Sequence, residues 1–510
     1  MKTPFLFAIP AFALALAPSL GSAASAPNFA EDIAPIVFQN CTSCHRPGQA
    51  GPFPLTNYAE TKKRARLMAE VTESRTMPPW HPDEGCGEFV GERRLTKTQI
   101  QLLKDWAAAG APEGPAGKTP KLPDFPEGWL HGKPDMVLTM DEAFTVPADG
   151  PDIYRQFVIP LNLGEDKWVQ AIEVKPGSKG ALHHVLLWLD SSGAARKLDE
   201  EDAGSGFRKM GFRRTGSLGG WAVGGGPRSL PDGLAYPLPK GSDLILSSHF
   251  HPTGKEEQEK TSIAIYFARQ PPTRQLVAQQ LPALFGRGAG LDIPAGDAAY
   301  TIKDHLTLPV DTDLIAVGAH AHYLGKTMEA TAKLPDGTSK TLFRISDWDF
   351  QWQDQYLYKQ PVRLPAGTVV EATIVWDNSS GNPNNPSSPP RRVTWGEESQ
   401  DEMGSISFVT VAANTWEHPS LANLSKERMR GVFGSLVKET GASFLVSQRL
   451  QMAGLLDKNG DKMLSADELP ERLKKSRVMN LLDKNGDGAL DAEELKQARE
   501  AWRPMPKESR

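Results

Sequence analysis

The spacing of hydrophobic residues changes along the chain and divides it into regions of different secondary structure. Residues 27–112 carry apolar positions at helical spacing. From about 136 to 425 the pattern changes to short β-rich runs between turn residues, with no helices between them, which predicts antiparallel sheets. From about 426 a helical pattern returns and encloses two acidic loops. The predicted strands include Val137–Thr139, Arg155–Ile159, Val185–Leu189, Leu244–Phe250, Ser262–Phe267, Leu314–Ala319 and Val369–Trp376.

The β-rich region is long enough for two domains of similar architecture. It spans about 300 residues, which exceeds the usual size of one sandwich of roughly 100 residues. We predict two tandem all-β sandwiches, at 135–285 and 286–425, with the break between them near Pro271–Gly290.

The flanking regions are predicted to be helical and separate from the sandwiches. Thr98–Ala109 places Ile100, Leu103 and Trp106 on one side of a helix, and 27–112 is therefore expected to be a small all-α domain. A linker at 113–134 is dense in Pro and Gly, which cannot hold a regular element for long. A second all-α unit is expected at 440–505.

Composition and the first residues indicate an exported multidomain protein. The chain has 510 residues, too many for one hydrophobic core, and its net charge of -5 gives no sign of a nucleic-acid partner. Lys2, the apolar run Phe5–Ala17 and the small residues that follow predict a signal peptide over 1–24. That run is shorter than the roughly 20 residues that a membrane span needs. We expect a periplasmic or extracellular protein without a membrane span.

A haem-attachment motif occurs in the first helical region. Cys41, Cys44 and His45 form C-x-x-C-H, in which two thiols attach to haem vinyl groups and the adjacent imidazole binds the iron. A second Cys or His pair that would complete a zinc site is absent from this region of the sequence. The motif therefore predicts a covalent haem c. Cys86 stands alone and is read as a buried small residue.

The sixth haem ligand is predicted to be Met77. This methionine follows a helical stretch and precedes two prolines, a pattern that resembles the distal loop of small class I cytochromes c. Met68 and His81 are the competing candidates. A thioether ligand raises the haem potential, which suits an electron carrier.

The histidines of the β-rich region occur in groups, which is typical of a metal site. Residues i and i+2 of a strand share one face, so His320 and His322 can converge on one metal. Adjacent residues such as His183 and His184 point to opposite faces, so both can serve one ion only where the strand ends or bulges. His249 and His251 form the third group.

The chemistry of these groups favours copper or zinc. Imidazoles with one thioether select these metals over magnesium or calcium, and methionine favours Cu(I). Blue-copper and dinuclear thiolate sites need cysteine, and the β-rich region contains none. A chemically reactive type II copper site or a non-redox metal is therefore expected.

These residues also carry a family resemblance. The segments ALHHVLLW, LILSSHFHPTG, AHAHYLGKTM and DEMGSISF, in this order, resemble the copper core of peptidylglycine and dopamine monooxygenases. The resemblance covers roughly residues 135–425 and implies two sandwiches of jelly-roll type. It further implies that His183, His184 and His249 hold a copper that passes electrons.

The resemblance implies a second copper, at which O2 is activated, held by His320, His322 and Met403. His251 remains a possible substitute ligand in the first set. Peptide-amidating members have an Arg two residues before the His-x-His and a Tyr four residues after the Met. This chain has Gly318 and Ser407 there, so a glycyl-peptide substrate is not expected. The family's disulfide framework is absent as well.

The function implied by the resemblance is hydroxylation of a C–H bond of a small substrate with O2. In the family, ascorbate reduces both coppers. The fused haem domain suggests that the cytochrome delivers these electrons, or relays them from an external donor such as ascorbate or a redox protein. The alternative is a non-catalytic metal-binding or electron-transfer protein with a degenerate copper core. A carbohydrate-binding pair of sandwiches would require an exposed aromatic platform.

Two loops near the C-terminus predict a calcium-binding EF-hand pair. Both match D-x-N-x-D with Glu at position 12, and LLDKNGD occurs in each. The second loop has Gly488 at its sharp turn, whereas the first has Lys462 there, which predicts a weaker site. The predicted calcium ligands are Asp457, Asn459, Asp461, Met463, Ser465 and Glu468 in the first loop, and Asp483, Asn485, Asp487, Ala489, Asp491 and Glu494 in the second.

Overall fold

The computed structural model describes most of the chain before residue 441. The described residues are 26–125, 128–208, 212, 214–440 and, beyond these, 464–465, 468, 483, 487–491 and 494. The predicted signal peptide at 1–24 lies outside them. Among the described residues, no helix combines the length and the apolar character that crossing a bilayer would require.

The first region is a small helical unit with its own core. Thr96 and Gln99 form a capping box at the start of its last helix, which begins and ends one residue before the predicted helix. Leu103 and Trp106 of that helix are fully buried, as its apolar spacing predicts. The helices are a π-helical turn at Phe29–Ile33, α1 at Ala34–Asn40, α2 at Tyr58–Lys62, α3 at Ala65–Glu73 and α4 at Lys97–Ala108.

The second region is built from two facing sheets with antiparallel pairing. One sheet has the strand order β1-β11-β4-β7, with β8 also paired to β4, and the other has the order β3-β9-β5-β6. β2 and β10 form a short separate pair. The elements are β1 Met136–Thr139, β2 Phe144–Val146, β3 Ile153–Pro160, β4 Lys167–Lys175, β5 Leu182–Asp190, α5 Ala194–Glu201, β6 Gly216–Ala222, β7 Arg228–Ser229, β8 Tyr236–Leu238, β9 Asp243–Phe250, β10 Glu257–Glu259 and β11 Ser262–Phe267.

The third region repeats this architecture. Its sheets have the orders β12-β21-β15-β18 and β14-β19-β16-β17, and β13 pairs with β20. Buried and half-buried positions alternate along β19, because one face of this strand packs on the core. The elements are β12 Leu276–Leu281, a 3-10 turn at Ala283–Ala289, β13 Asp292–Ile293, β14 Tyr300–Thr307, β15 Thr312–Ala321, β16 Gly325–Lys333, β17 Ser339–Ile345, β18 Gln355–Leu364, β19 Val369–Trp376, β20 Val393–Thr394, β21 Gly404–Ala412, a 3-10 turn at Thr415–Glu417 and α6 His418–Thr440.

The chain is thus mostly β-sheet with a few helices, and two predicted boundaries need correction. β12 pairs with β21 of the second sandwich, so the first sandwich ends at β11 and not at residue 285. The last strand ends at Ala412 and α6 begins at His418, before the predicted limit of 425. The helix α5 was not expected between strands. Each of the seven predicted strands overlaps an observed one.

The helical unit is docked against both sandwiches. Its segment Trp80–Val90 lies along the edge strand β18, where Val90 N–H donates to Leu357 O at 2.8 Å and Lys359 N–H donates to Glu88 O at 2.9 Å. Phe89 is buried in the core of the second sandwich. Burial of an aromatic ring together with paired backbone groups fixes this segment in place.

Candidate metal centre

Three histidines of the first sandwich lie together on two paired strands. His183 and His184 are adjacent in β5, and His249 in β9 pairs with His184. The β5–β9 register shifts between Leu182 and His184, so His183 is the extra residue of a bulge. The bulge allows neighbouring side chains to reach the same point, which a regular strand would prevent.

The Nδ1 atoms of these three rings form a small triangle. His183 Nδ1 lies 3.1 Å from His249 Nδ1 and 3.2 Å from His184 Nδ1, and the third side is 3.4 Å. The centre of such a triangle is about 1.9 Å from each corner, close to a zinc–imidazole bond of about 2.0–2.1 Å. Three neutral rings with one N–H each cannot all donate to each other's Nδ1 atoms. The donor set therefore fits a metal ion, and we call it the histidine triad.

Within the described part of the chain, the triad is the one group of three or more His, Cys, Asp or Glu side chains whose ligand atoms converge in this way. Burial, with a contribution from His249, lowers the pKa of His183 to about 4. Burial also lowers the pKa of His184 well below its ordinary value. Both imidazoles are therefore neutral near pH 7, the form that binds metals.

A carboxylate orients the third triad member. His249 Nε2 lies 2.9 Å from Asp152 Oδ2, and the exposed His251 places its Nδ1 2.8 Å from Asp152 Oδ1. Burial favours the neutral carboxyl, but the contacts with His249 and His251 prevail and lower the pKa of Asp152 to about 2. The ring of Tyr154 stacks on that of His249, with 4.4 Å between the ring centroids. His251 thus binds Asp152 and does not join the triad.

The second histidine pair lies at the end of β15, where His320 is within the strand and His322 directly follows its last residue, Ala321. The ring centroids of His320 and His322 are 5.3 Å apart. His320 Nδ1 contacts Gln353 Oε1, and His322 Nδ1 lies 3.1 Å from Asp401 O. Burial lowers the pKa of His320 to about 3 and that of His322 to about 4, so both rings are neutral near pH 7. A protein acceptor at Nδ1 is the usual orienting contact of a metal-binding histidine.

Met403 lies beside this pair, directly before the first residue of β21. β15 and β21 pair Ala321 with Gly404, which places Met403 opposite His322 just before β21 begins. The buried carboxyl of Glu402 accepts the backbone N–H groups of His322 at 2.5 Å and Met403 at 2.9 Å. Burial raises the pKa of Glu402 to about 8, against these hydrogen bonds. Glu402 thereby joins the backbones of both predicted ligands.

One aromatic ring separates the two histidine sets. Phe350, in the loop between β17 and β18, is buried, and its centroid lies 5.9 Å from His249 and 5.8 Å from His322. Tyr323 packs on the same ring at 4.6 Å. His183 Nε2 lies 2.5 Å from the carbonyl oxygen of the next residue in the loop, Gln351. A single loop of the second sandwich therefore contacts both sets and covers the space between them.

The predicted haem-attachment residues lie in the turn that follows α1. Cys41 and Cys44 are free thiols, and burial, with a contribution from Cys44, raises the pKa of Cys41 to about 12. His45 Nδ1 lies 3.0 Å from Phe53 O, which orients the ring and leaves Nε2 for an axial bond. A Cβ on Gly51 would lie 2.7 Å from His45 Nδ1, so only glycine permits this close packing. Two free thiols beside an oriented imidazole fit a covalent haem.

The candidate sixth ligands occupy different environments. Met68 is buried in the core of the helical unit. Met77 is half-buried and lines a cavity of about 200 Å³ together with Trp80 and His81. His81 is half-buried, and its ring packs against Trp348 of the second sandwich at 5.7 Å. Met77 therefore stays the predicted sixth haem ligand, with Met68 and His81 as the competing candidates.

The described residues of the two predicted calcium loops form a paired arrangement. Leu464 and Leu490 exchange two backbone hydrogen bonds of 2.9 Å, which joins the two loops. The side chains of Glu468 and Glu494 are buried and accept the N–H groups of Ser465 and Asp491. Gly488 has φ of +81°, as the sharp turn of such a loop requires. Asp483 accepts the N–H groups of Asp487 and Gly488, and Ala489 N–H donates to Asp487. The predicted ligands Asp457, Asn459, Asp461, Met463 and Asn485 lie outside the described residues.

Several residues around the histidines were not predicted from sequence. Asp152, Tyr154 and Phe350 carry no spacing signal, because they reach the site from other strands or from a loop of the other sandwich. Glu402 had a weak signal, since it directly precedes Met403.

Comparison with known proteins adds little to this picture. No protein-family profile matches the chain, and no curated protein matches it at a significant level. The solved structures with some likeness include the major capsid protein P2 of bacteriophage PM2, which is 9% identical over 54% of this chain and 97% of its own, at a TM-score of 0.23. A peptide-N(4)-(N-acetyl-β-D-glucosaminyl) asparagine amidase is 13% identical over 55% and 96% of the two chains, at a TM-score of 0.26. Similarity at this level carries no argument about function.

Proposed function

We propose that this protein is an exported copper-dependent monooxygenase that hydroxylates a C–H bond of a small substrate. The observation that carries the proposal is the convergence of three Nδ1 atoms, from His183, His184 and His249, on a point that suits a metal. The net reaction inserts one atom of O2 into the substrate and reduces the other to water, with two electrons from an external donor and two protons.

The proposal divides the chain by role. The helical unit is a cytochrome c domain with haem c on Cys41 and Cys44, bound by His45 and Met77. The two sandwiches are jelly rolls that carry the copper sites. The C-terminal segment is an EF-hand pair that binds calcium for stability, because calcium outside the cytoplasm is plentiful. The donor is ascorbate or a redox protein.

Two copper ions are proposed, one in the triad and one at His320, His322 and Met403. Bound copper supplies one-electron redox chemistry, and the thioether-containing site supplies the chemistry that activates O2. The triad fits this assignment because all of its ligands come from paired strands. The other set fits because its imidazoles are neutral and Met403 and His322 directly flank the paired residues Gly404 and Ala321.

The protein's own residues set the environment of the reaction. Asp152 and Glu402 orient the ligands, and Phe350 excludes water from the space between the two sets. Gly318 pairs with Ser407 across β15 and β21, where the amidating relatives hold a substrate carboxylate with Arg and Tyr. The substrate is therefore proposed to be recognised without that carboxylate contact.

Copper content and oxygen uptake together test the proposal. The purified holoprotein should bind two copper ions and consume O2 with ascorbate, faster when a hydroxylatable metabolite is present. The matched variants His184→Ala and His320→Ala should each lose one copper and the stimulated uptake. Wild-type protein that binds one or no copper, or two coppers without stimulated uptake, would support the non-catalytic alternative instead.

A further inference from the structure

The contact between the helical unit and the first sandwich occurs beside the haem-attachment motif. A Cβ on Gly224 would lie 3.5 Å from Cys44 Sγ and 2.8 Å from a guanidinium nitrogen of Arg93. Gly224 belongs to the segment Ala222–Gly226, which begins at the last residue of β6 and which we call the glycine loop. Its φ of +78° and its close neighbours both exclude a side chain. The loop backbone thus reaches the thiol that would carry the haem.

Polar contacts hold this arrangement on both sides of the thiol. Arg93 Nη1 donates to Gly224 O at 2.7 Å. Lys179, which precedes β5, donates to Gly48 O at 2.5 Å and to Gln49 Oε1 at 3.2 Å. Hydrogen bonds from charged donors are among the stronger ones. Together with the packing of Trp80–Val90 on β18, these hydrogen bonds fix the position of the helical unit against the two sandwiches.

The glycine loop also touches the histidine triad. Val223 N–H donates to His183 O at 3.2 Å, and Ala222 pairs with His184 across β6 and β5. The haem-attachment thiol is therefore connected to His183 of the triad in three steps. They are a through-space step from Cys44 to Gly224, the peptide unit between Gly224 and Val223, and the hydrogen bond from Val223 to His183.

We infer that the glycine loop is the route by which electrons pass from a haem on Cys44 to the histidine triad. This inference rests on the proposed function and names the route within it. With both groups bound, one electron would pass from a ferrous haem held by Cys41, Cys44 and His45 to a Cu(II) ion held by the triad, and no bond would form or break. An external one-electron reductant such as ascorbate returns the haem to the ferrous state.

A competing route runs from the helical unit to the second histidine set. His81 packs on Trp348, and Trp348 Nε1 donates to His322 O at 3.3 Å. The triad route is favoured because it begins at a thiol that would be covalently attached to the haem, whereas His81 is not a predicted attachment residue. The two routes predict different rates of haem reoxidation when one of the two histidine sets is disrupted.

Flash reduction of the full-length holoprotein tests which set receives the electron. A flash-generated flavin semiquinone reduces the haem without oxygen, and the haem absorbance then reports its reoxidation. Reoxidation should proceed at the wild-type rate in His320→Ala and should be lost in His184→Ala. Reoxidation that persists in His184→Ala and is lost in His320→Ala would overturn the inference. Copper content, measured first, separates this result from failure of the proposed function, in which the wild-type protein binds no copper.

A second variant addresses the glycine loop without touching a metal ligand. Arg93→Ala should slow haem reoxidation several-fold, because it removes the charge-assisted hydrogen bond that holds Gly224 beside Cys44 and lets the loop move away from the thiol. Its haem spectrum and copper EPR spectrum should match those of the wild type. The control Arg66→Ala removes an exposed arginine that pairs with Glu70 and should leave the rate unchanged. An unchanged rate in Arg93→Ala, with both spectra intact, would show that the loop is not the route.

Discussion

The two histidine sets differ in what holds their ligands. His183, His184 and His249 lie on two strands of one sheet, and their Nδ1 atoms already meet. His320 lies in β15 and His322 just after its end, and loops supply the rest of their surroundings, including the Gln353 contact. Sites built on strands are positioned more tightly than sites built on loops.

This difference matches the two proposed roles. An ion that only passes electrons benefits from ligands that do not move between its oxidation states. An ion that must admit O2 needs a position that can open, and a thioether ligand beside two imidazoles is suited to Cu(I). The comparison thus agrees with the proposed roles, which are electron transfer at the triad and oxygen chemistry at the set beside Met403.

The largest expected effect comes from removing a triad ligand. His249→Ala should abolish copper binding at the triad, so that the content falls from two coppers to one, because two neutral imidazoles hold copper far less well than three. Metal analysis of the dialysed protein measures this. The control His305→Ala removes an exposed histidine of β14 and should retain two coppers. Retention of both coppers in His249→Ala would show that the triad does not hold one of them.

Acidification should destabilise the copper-free protein. The folded chain keeps His183, His320 and His322 neutral until about pH 3–4, whereas the unfolded chain takes up protons near pH 6.5. The unfolded state therefore binds more protons between these values, and the free energy of unfolding falls as pH falls, by up to about 1.4 kcal/mol per pH unit for each histidine. Denaturant titrations at pH 4.5–7 measure the slope. His320→Ala should reduce it, and an unchanged slope would contradict the assigned burial.

Replacing the orienting carboxylate should weaken the triad without removing it. Asp152→Asn keeps the shape but removes the charge that faces His249 Nε2, and changes of this kind cost about 10- to 100-fold in metal affinity. Competition with a copper chelator measures the affinity of each site. The site at His320 should be unaffected, and equal loss at both sites would show that Asp152 acts on the whole fold.

The smallest expected effect concerns Glu402, which acts on the second set. Glu402→Gln keeps an acceptor for the backbone N–H groups of His322 and Met403 but loses one carboxyl oxygen, and should cost about 1–3 kcal/mol of unfolding free energy. Chemical denaturation measures this cost. The EPR signal of the second copper should change while that of the triad copper stays the same. A change only in the EPR signal of the triad copper would contradict the assignment of Glu402 to the second set.

Patterns that depend on local geometry were predictable from sequence. The period-2 alternation located strands such as β11 and β19, and the i, i+2 rule predicted that His320 and His322 lie close together, as their ring-centroid distance of 5.3 Å shows. The adjacent His183 and His184 required a bulge or a strand end, and a bulge is present.

Features that depend on contacts between distant segments were not predictable. Phe350 comes from another sandwich than His249, and the docking of Phe89 joins a helical unit to a strand far along the sequence. β12 was placed in the wrong sandwich because pairing partners leave no local mark on a short strand. The sequence also suggested a tether at 113–134, whereas the helical unit is docked by its own side chains.

Anomalous diffraction at the copper edge, from crystals of the copper-loaded protein, is the most direct test of the two-copper account. We predict two peaks, one within bonding distance of the Nδ1 atoms of His183, His184 and His249, and one among His320, His322 and Met403. Crystals of protein with a measured copper content that lack a peak at the triad would contradict the central claim.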